Sequence, residues 1–286
     1  MNLIRRLLNK YVYQIWNIAI ADIGDDLKPI NIKWMKHDYK DRWFADPFII
    51  DETEHHYIVL AEEFIYATRL GRLARLTIDK DTCRLVKNET ILDLSTHLSF
   101  PNPIIVDGQK YIYPENAKSG NTKVYKYGQD LKQCGILSDF PLADATITEI
   151  DGVYYLFATV GKGCNSNTLN VYRSEAPLSG YTLTQSIEFD DNIARRAGNV
   201  FNWKGKMISP AQVCNNDYGE GVSFQELTAI NGRVALKEIK RLPPPTKLYP
   251  EGFHTYNVFK DKVIIDGYKY GSKFLHDLYF KIRTGK

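Results

Sequence analysis

The chain has few of the features that would place it at once. Its 286 residues include only four cysteines, Cys83, Cys134, Cys164 and Cys214, widely spaced and without a CxxC pair. That excludes a zinc knuckle and a dense disulfide framework, and makes a reduced, cytoplasmic location the expectation. No apolar run reaches the roughly 18 residues of a membrane-spanning helix, and no cleavable leader is evident. The formal net charge of +3 is small and no basic stripe with interleaved aromatics occurs, so nucleic acid is not an expected partner. A Walker loop and a dinucleotide-binding βαβ unit are also missing, which leaves no standard nucleotide fold.

What is present is a repeat. Five times, roughly 50 residues apart, a polar cluster opens into an apolar strand, turns, and meets a second apolar strand. The openings are Trp43-Phe-Ala-Asp-Pro-Phe, Leu98-Ser-Phe-Pro-Asn-Pro, Leu142-Ala-Asp-Ala-Thr, Arg195-Arg-Ala-Gly-Asn and Gly252-Phe-His-Thr-Tyr. Turns such as Asp107-Gly108, Asp151-Gly152 and Lys204-Gly205 follow, then third and fourth strands with period-two alternation. A strand repeat of this period implies an all-β, five-bladed β-propeller, since a sandwich has many short strands but no fixed period.

The fifth repeat has a third strand, Phe274 to Ile282, and then the chain stops, while an orphan strand-like segment near 15–23 precedes the first. Pairing that segment with the last blade closes the ring and removes its open edges. The propeller then occupies 15–286, with blades starting near 43, 98, 142, 195 and 252. Residues 1–14 form a basic amphipathic helix, with Leu3, Ile4, Leu7, Leu8 and Tyr11 on one face. Such a helix either lies peripherally on an anionic membrane or packs against the propeller.

In a propeller the first strand of each blade lines the axial channel, so strand-one starts and strand-two ends share one face. That geometry collects Asp46, His97, Ser99, Asp144, Arg195, Arg196 and His254 with Glu62 or Glu63, Glu115, Asn116, Gln212 and Asp266. Trp43 and Tyr218 stand beside them. Blades one to three bring carboxylates, and blade four brings two arginines. Carboxylates around one cavity raise each other's pKa and suit glycosyl chemistry, while arginine forks suit phosphate. Asp46, Asp144, Glu115 and Glu62 are the candidate catalytic residues. His97, Ser99, Arg195, Arg196, Asn199, Gln212, Tyr218, His254 and Trp43 are candidate binding residues. The expected ligand is a sugar, a sugar phosphate or a nucleotide sugar, with other glycan-synthesis enzymes as partners.

Ala-Asp-Pro-Phe at 45–48, with Asp144 two blades later, resembles the five-bladed propellers of glycoside hydrolase family 43. The resemblance implies a base role for Asp46, a positioning role for Asp144, and an axial place for His254, beside which a divalent cation sometimes sits. The family's general-acid glutamate has no counterpart here, because the Arg195-Arg196 run occupies its blade. A closer resemblance is to the propeller domain of the glucosamine inositolphosphorylceramide transferases and of bacterial polysaccharide-synthesis proteins. It rests on Trp43-Phe-Ala-Asp-Pro-Phe, Glu62, His97-Leu-Ser-Phe-Pro, Tyr113-Pro-Glu, Asp144-Ala-Thr, Ala194-Arg-Arg-Ala-Gly-Asn, Pro210-Ala-Gln and Tyr218-Gly. Val213 departs from it where an acidic residue is expected. The resemblance implies carbohydrate chemistry: formation of a glycosidic linkage from a phosphate-bearing donor, with non-catalytic glycan binding or family-43-like hydrolysis as the alternatives.

Overall fold

The computed structural model describes residues 12–161 and 165–272. The chain enters as β1 (Val12–Ile23) and β2 (Pro29–Trp34), then lays down blade one as β3 (Arg42–Glu52), β4 (His56–Ile65), β5 (Leu70–Asp79) and β6 (Leu85–Leu92). Blade two is β7 (Ser99–Val106), β8 (Gln109–Glu115), β9 (Thr122–Lys126) and β10 (Lys132–Ser138). Blade three is β11 (Leu142–Ile150), β12 (Val153–Val160), β13 (Thr168–Ser174) and β14 (Thr182–Glu188). Blade four is β15 (Phe201–Trp203), β16 (Lys206–Val213), β17 (Gly221–Ile230) and β18 (Arg233–Leu242). The last strands, β19 (Tyr256–Phe259) and β20 (Lys262–Ser272), join the first two in a sheet of order β19-β20-β1-β2. Five four-stranded antiparallel sheets result, a five-bladed propeller closed by the N-terminal strand pair.

The closing strand is longer than its sequence pattern indicates. Val12 to Asp22 of β1 run opposite Ser272 to Lys262 of β20, so Val12, Tyr13 and Gln14 are strand, not the end of a helix. Ladder pairing along the full length of β20 overrides the local helical periodicity. The rest of the expected helix, residues 1–11, lies outside the described residues, as does the expected strand at 274–282. The third position of blade five is held by β1, and its fourth by β2, which the sequence pattern does not announce.

Alternation along the strands sends side chains to opposite seams. On β1, Ile18 and Ile20 pack toward blade one with Phe44, Val59 and Leu76, whereas Ala19 and Ala21 pack toward blade four with Ile208, Val222 and Phe224. Three further clusters fill the remaining seams, around Leu60 and Ile112, Tyr113 and Leu156, and Phe157 and Leu227. The core is thus five interblade layers around the axis. Hairpin turns at Asp107-Gly108, Asp151-Gly152 and Lys204-Gly205 carry positive φ at both residues, the type I′ pattern that matches strand twist. The three glycines have open space around them, so conformation and not crowding selects glycine there.

Candidate functional site: an acidic axial funnel

The first strands of blades one, two and three share a local distortion. Ladder register breaks between Ala45 and Phe48, between Ser99 and Asn102, and between Ala143 and Thr146. At each break one residue adopts a left-handed backbone: Asp46 (φ 51°), Phe100 (φ 44°) and Asp144 (φ 45°). Such bulges re-aim a side chain and leave a backbone N–H without its ladder partner, which is costly when buried. Carboxylates from neighbouring blades accept these N–H groups. Asp46 N donates to Asp266 Oδ2 (3.1 Å), Phe100 N to Asp46 Oδ2 (3.0 Å), and Asp144 N to Glu115 Oε2 (3.0 Å). The acidic residues therefore hold the distorted strand starts that present them.

Below this ring a second one links first strands around the axis. Asn102 Nδ2 donates to Ala145 O, Thr146 Oγ1 to Gly198 O, Asn199 N to Asn257 Oδ1, and Asn257 Nδ2 to Pro47 O. Asn199 belongs to this lower belt, where it supports the channel wall beneath the acidic residues.

The carboxyls form two coupled groups. Asp46 and Glu62 are each 4 % exposed and hydrogen-bonded to each other. Burial pushes Glu62 well above the usual carboxyl range, and the charges of Asp46 and Glu115 push it further. Burial also raises Asp46 to about 6 against the opposing pull of His254. On the other side, Asp144 is raised to about 6 by burial, with Arg195 opposing and Glu115 adding. Arg195 Nε donates to Asp144 in a short contact, its Nη2 to Glu115 Oε2 (3.1 Å) and its Nη1 to Asn165 Oδ1 (2.8 Å). Gln212 Nε2 reaches Asp144 Oδ2 at 2.6 Å.

His254 sits between Asp266, 2.7 Å from its Nδ1, and Asp46, 3.4 Å from its Nε2. Burial opposes its charge, but the two carboxylates outweigh burial and raise its pKa. Burial likewise works against ionised Asp266, yet His254 and the backbone N–H groups of His254 and Thr255 hold it below the usual range. Asp46, His254 and Asp266 converge closely enough to suggest a cation site. However, Asp266 Oδ1 accepts two backbone N–H groups, and Oδ2 accepts Asp46 N and faces Nδ1. Two donors then remain, Asp46 Oδ1 and His254 Nε2, far short of the six or more oxygens of a hard divalent cation. The trio fits a proton better than the expected axial cation.

The rim is partly exposed. His97 Nδ1 accepts Gly71 N (2.9 Å), which leaves the proton on Nε2, facing Glu62 Oε1 at 3.3 Å. Burial lowers its pKa and keeps it neutral. Trp43 stacks on Phe64 at 4.6 Å, and Tyr218 lies under the Arg195 guanidinium (5.3 Å) with its ring edge-on to His254. Ser99 is buried opposite Glu115.

Two expectations change. Register resolves the Glu62/Glu63 ambiguity: Glu62 faces the axis, and Glu63 turns away to Arg42, Arg72 and Asn88. Arg196 does not face the funnel. It is fully buried and donates to Ala194 O, Ile193 O, Ser209 Oγ and Gln225 Oε1, which pin the irregular entry to blade four. Of the two, Arg195 alone reaches the axial carboxylates, Asp144 and Glu115. The basic half shrinks to Arg195 and His254, against Asp46, Glu62, Glu115, Asp144 and Asp266.

Two contributors are absent from the expected set, and a third, Asp266, is collected there without a role. Asp266 was legible from its strand-two end. Trp16, stacked on His254 at 4.2 Å, follows only once β1 is known to close the ring, and Asn165 lies on a loop with no sequence signal.

Residues 32–242 match the family described as "Glucosamine inositolphosphorylceramide transferase 1, N-terminal". The transferase of that name from Oryza sativa subsp. japonica is 27% identical over 162 residues, 53% of this chain and 21% of the relative. The Arabidopsis thaliana protein is 26% identical over 204 residues, 66% of this chain and 26% of the relative. The matched region thus spans about a quarter or less of these relatives' length. A thermostable family-43 glycoside hydrolase superposes with TM-score 0.56 at 15% identity, covering 76% of this chain and 84% of its own. A family-43 enzyme from Xanthomonas citri complexed with xylose gives TM-score 0.55 at 10% identity, covering 82% and 88%. At those identities the structural likeness bears on the fold alone. The family match, extending over most of the propeller, decides the affiliation: the chain belongs to the family of the N-terminal domain of glucosamine inositolphosphorylceramide transferase 1.

Proposed function

We propose that the chain takes part in forming a glycosidic linkage, with the axial funnel holding the acceptor sugar and Asp46 taking the proton of its attacking hydroxyl. The observation that carries this reading is the Asp46–Glu62 pair, two buried carboxyls joined by a hydrogen bond beneath the partly exposed rim. Two such groups share one proton and one charge. The pair accepts a second proton as the acceptor oxygen bonds to the sugar carbon and the bond to the leaving group breaks. Trp43 and Tyr218 offer ring faces to the sugar's C–H faces, and His97 a donor.

Charge argues for an acceptor here and against the phosphate of a donor. Among the described residues Arg195 is the one guanidinium at the axis and already holds Asp144 and Glu115, while Arg196 is enclosed. Five carboxyls favour a neutral or amino sugar, and the relatives' name supplies glucosamine as the first to try. The remaining length of those relatives is the natural source of donor chemistry. Cys83, Cys134 and Cys214 stand free, which supports a reducing, cytoplasmic setting.

Calorimetry with glucosamine, N-acetylglucosamine and their UDP-linked forms tests the reading. The free sugars are expected to bind with the same affinity in the presence of saturating UDP, and Asp46→Asn to abolish glycosyl transfer to the bound sugar in a fold-competent protein. UDP-sugars binding tenfold more tightly, through Arg195, would overturn it. A non-catalytic recognition role is favoured by one observation, the locking of Asp144 and Glu115 on Arg195. Full transfer by the Asp46→Asn protein would decide for that role.

A further inference from the structure

The positive charge missing from the funnel is found beside it. The connection from β2 to β3 crosses from blade five to blade one and carries Lys36, His37, Asp38, Tyr39 and Lys40. With Arg84, Lys269 and Tyr249 it borders a cavity of about 590 Å³, within the range of small-molecule sites. Arg42 also lines it, but Asp41 and Glu63 neutralise that guanidinium. Lys36, Lys40, Arg84 and Lys269 then face a single carboxylate, Asp38, which holds Arg84 only at 3.6 Å with both side chains exposed.

The cavity is a formed one. Lys36 is fixed by its backbone, N to Cys83 O and O from Leu85 N, and Lys269 lies over the Tyr249 ring at 5.1 Å. Asn17 Nδ2 donates to Tyr249 Oη (3.0 Å) and to Met35 O (2.9 Å), setting the floor. His37 Nδ1 is buried without a hydrogen-bond partner among the described residues. A cavity with three excess positive charges and an unmatched imidazole nitrogen attracts an anion with several acceptor oxygens.

We infer that this pocket between blades five and one binds a phosphoryl group carried on a polar headgroup, either a soluble organic phosphate or a phospholipid. The inference does not depend on the acceptor reading, because no residue of the funnel lines the pocket. The two sites are close nonetheless: Ile15 and Asn17 border the pocket, and Trp16 between them packs on His254. A phosphate-bearing molecule seated here would lie next to the sugar site without entering its acidic interior.

The test uses the full chain and the double variant Lys36→Glu/Lys40→Glu, whose exposed side chains are not needed for folding. Pyrophosphate and UDP are titrated by calorimetry, and vesicles of phosphatidylcholine with and without phosphatidylinositol are co-sedimented with the protein. Binding of pyrophosphate or UDP, weakened at least tenfold in the variant, supports the site and identifies a soluble source. Retention only on phosphatidylinositol vesicles, lost in the variant, supports it with a lipid source. Absence of both, or binding that the variant leaves unchanged, overturns it. Asp46→Asn in the same assays is expected to change nothing, which separates this outcome from the fate of the acceptor reading.

Discussion

Arg195 and Arg196 are neighbours in sequence, and replacing each by methionine should give opposite results. Arg196 makes five hydrogen bonds to neutral acceptors and none to a carboxylate, in a place where burial alone lowers its pKa from the usual guanidinium range to about 9. At about 1.4 kcal/mol per unit, desolvation of the charge costs about 5 kcal/mol, which methionine relieves. Against that, the substitution leaves Ile193 O, Ala194 O, Ser209 and Gln225 without their donor, at about 1–3 kcal/mol for each group that cannot find another. The acceptors win narrowly, and a net loss of about 3 kcal/mol is expected, or a fall in Tm of roughly 6–12 °C for a domain of this size. Sugar affinity of the folded protein should not change. Arg195→Met should instead weaken sugar binding strongly with a smaller stability loss, because Asp144, already near 6, can take up a proton when its partner is gone. Differential scanning fluorimetry and calorimetry on both variants read the two effects. Loss of sugar binding with unchanged Tm in Arg196→Met would refute the assignment.

Two further outcomes follow from the funnel. Asp46 and Asp144 have folded pKa values near 6, above the 3.8 of the unfolded chain, so their contribution is complete below about pH 4 and is lost as pH rises through 6. Up to about 3 kcal/mol is at stake for each, less because the groups titrate together. Urea midpoints should fall from pH 4 to 7, and a rise would contradict the network; Glu62→Gln, which mimics the protonated acid, should flatten the decline at its alkaline end. At Gly71 an added Cβ would stand 2.4 Å from Glu62 Oε1 and 2.5 Å from Leu98 O. Gly71→Ala should therefore separate His97 from Glu62 and blunt the funnel's activity, and a variant with full activity and unchanged Tm would show that the rim contact is dispensable.

Much of the architecture was legible because propeller strands obey a period-two rule in a repeat, and Gly-containing turns mark the hairpins. The same rule placed Asp46, Asp144, Glu115 and His254 at the axis. It failed where the backbone leaves the rule. Blade four begins with an irregular entry, so nothing local says that Arg195 turns inward and Arg196 outward. Ring closure by the N-terminal strand was legible from the need to cover open edges, but its start at Val12 and the place of β2 were not, because the partner strand lies some 250 residues away and no window of sequence contains both. The pocket between blades five and one is likewise assembled from distant segments, which read separately as a loop, a strand end and scattered lysines.

Blade five is made from both ends of the described chain, so the site is complete only once β1 has closed the ring on β20. The contacts of β1 with β20 are of very high sequence separation, so they form only after a long loop has closed. Until then His254 lacks the Trp16 ring against it and the wall between funnel and phosphate pocket does not exist. A partly folded chain with four finished blades would hold Asp46, Glu62 and Asp144 yet bind nothing well. Trp16 meets the His254 ring only in the closed ring, and its fluorescence should change in the same kinetic phase in which ligand binding is acquired.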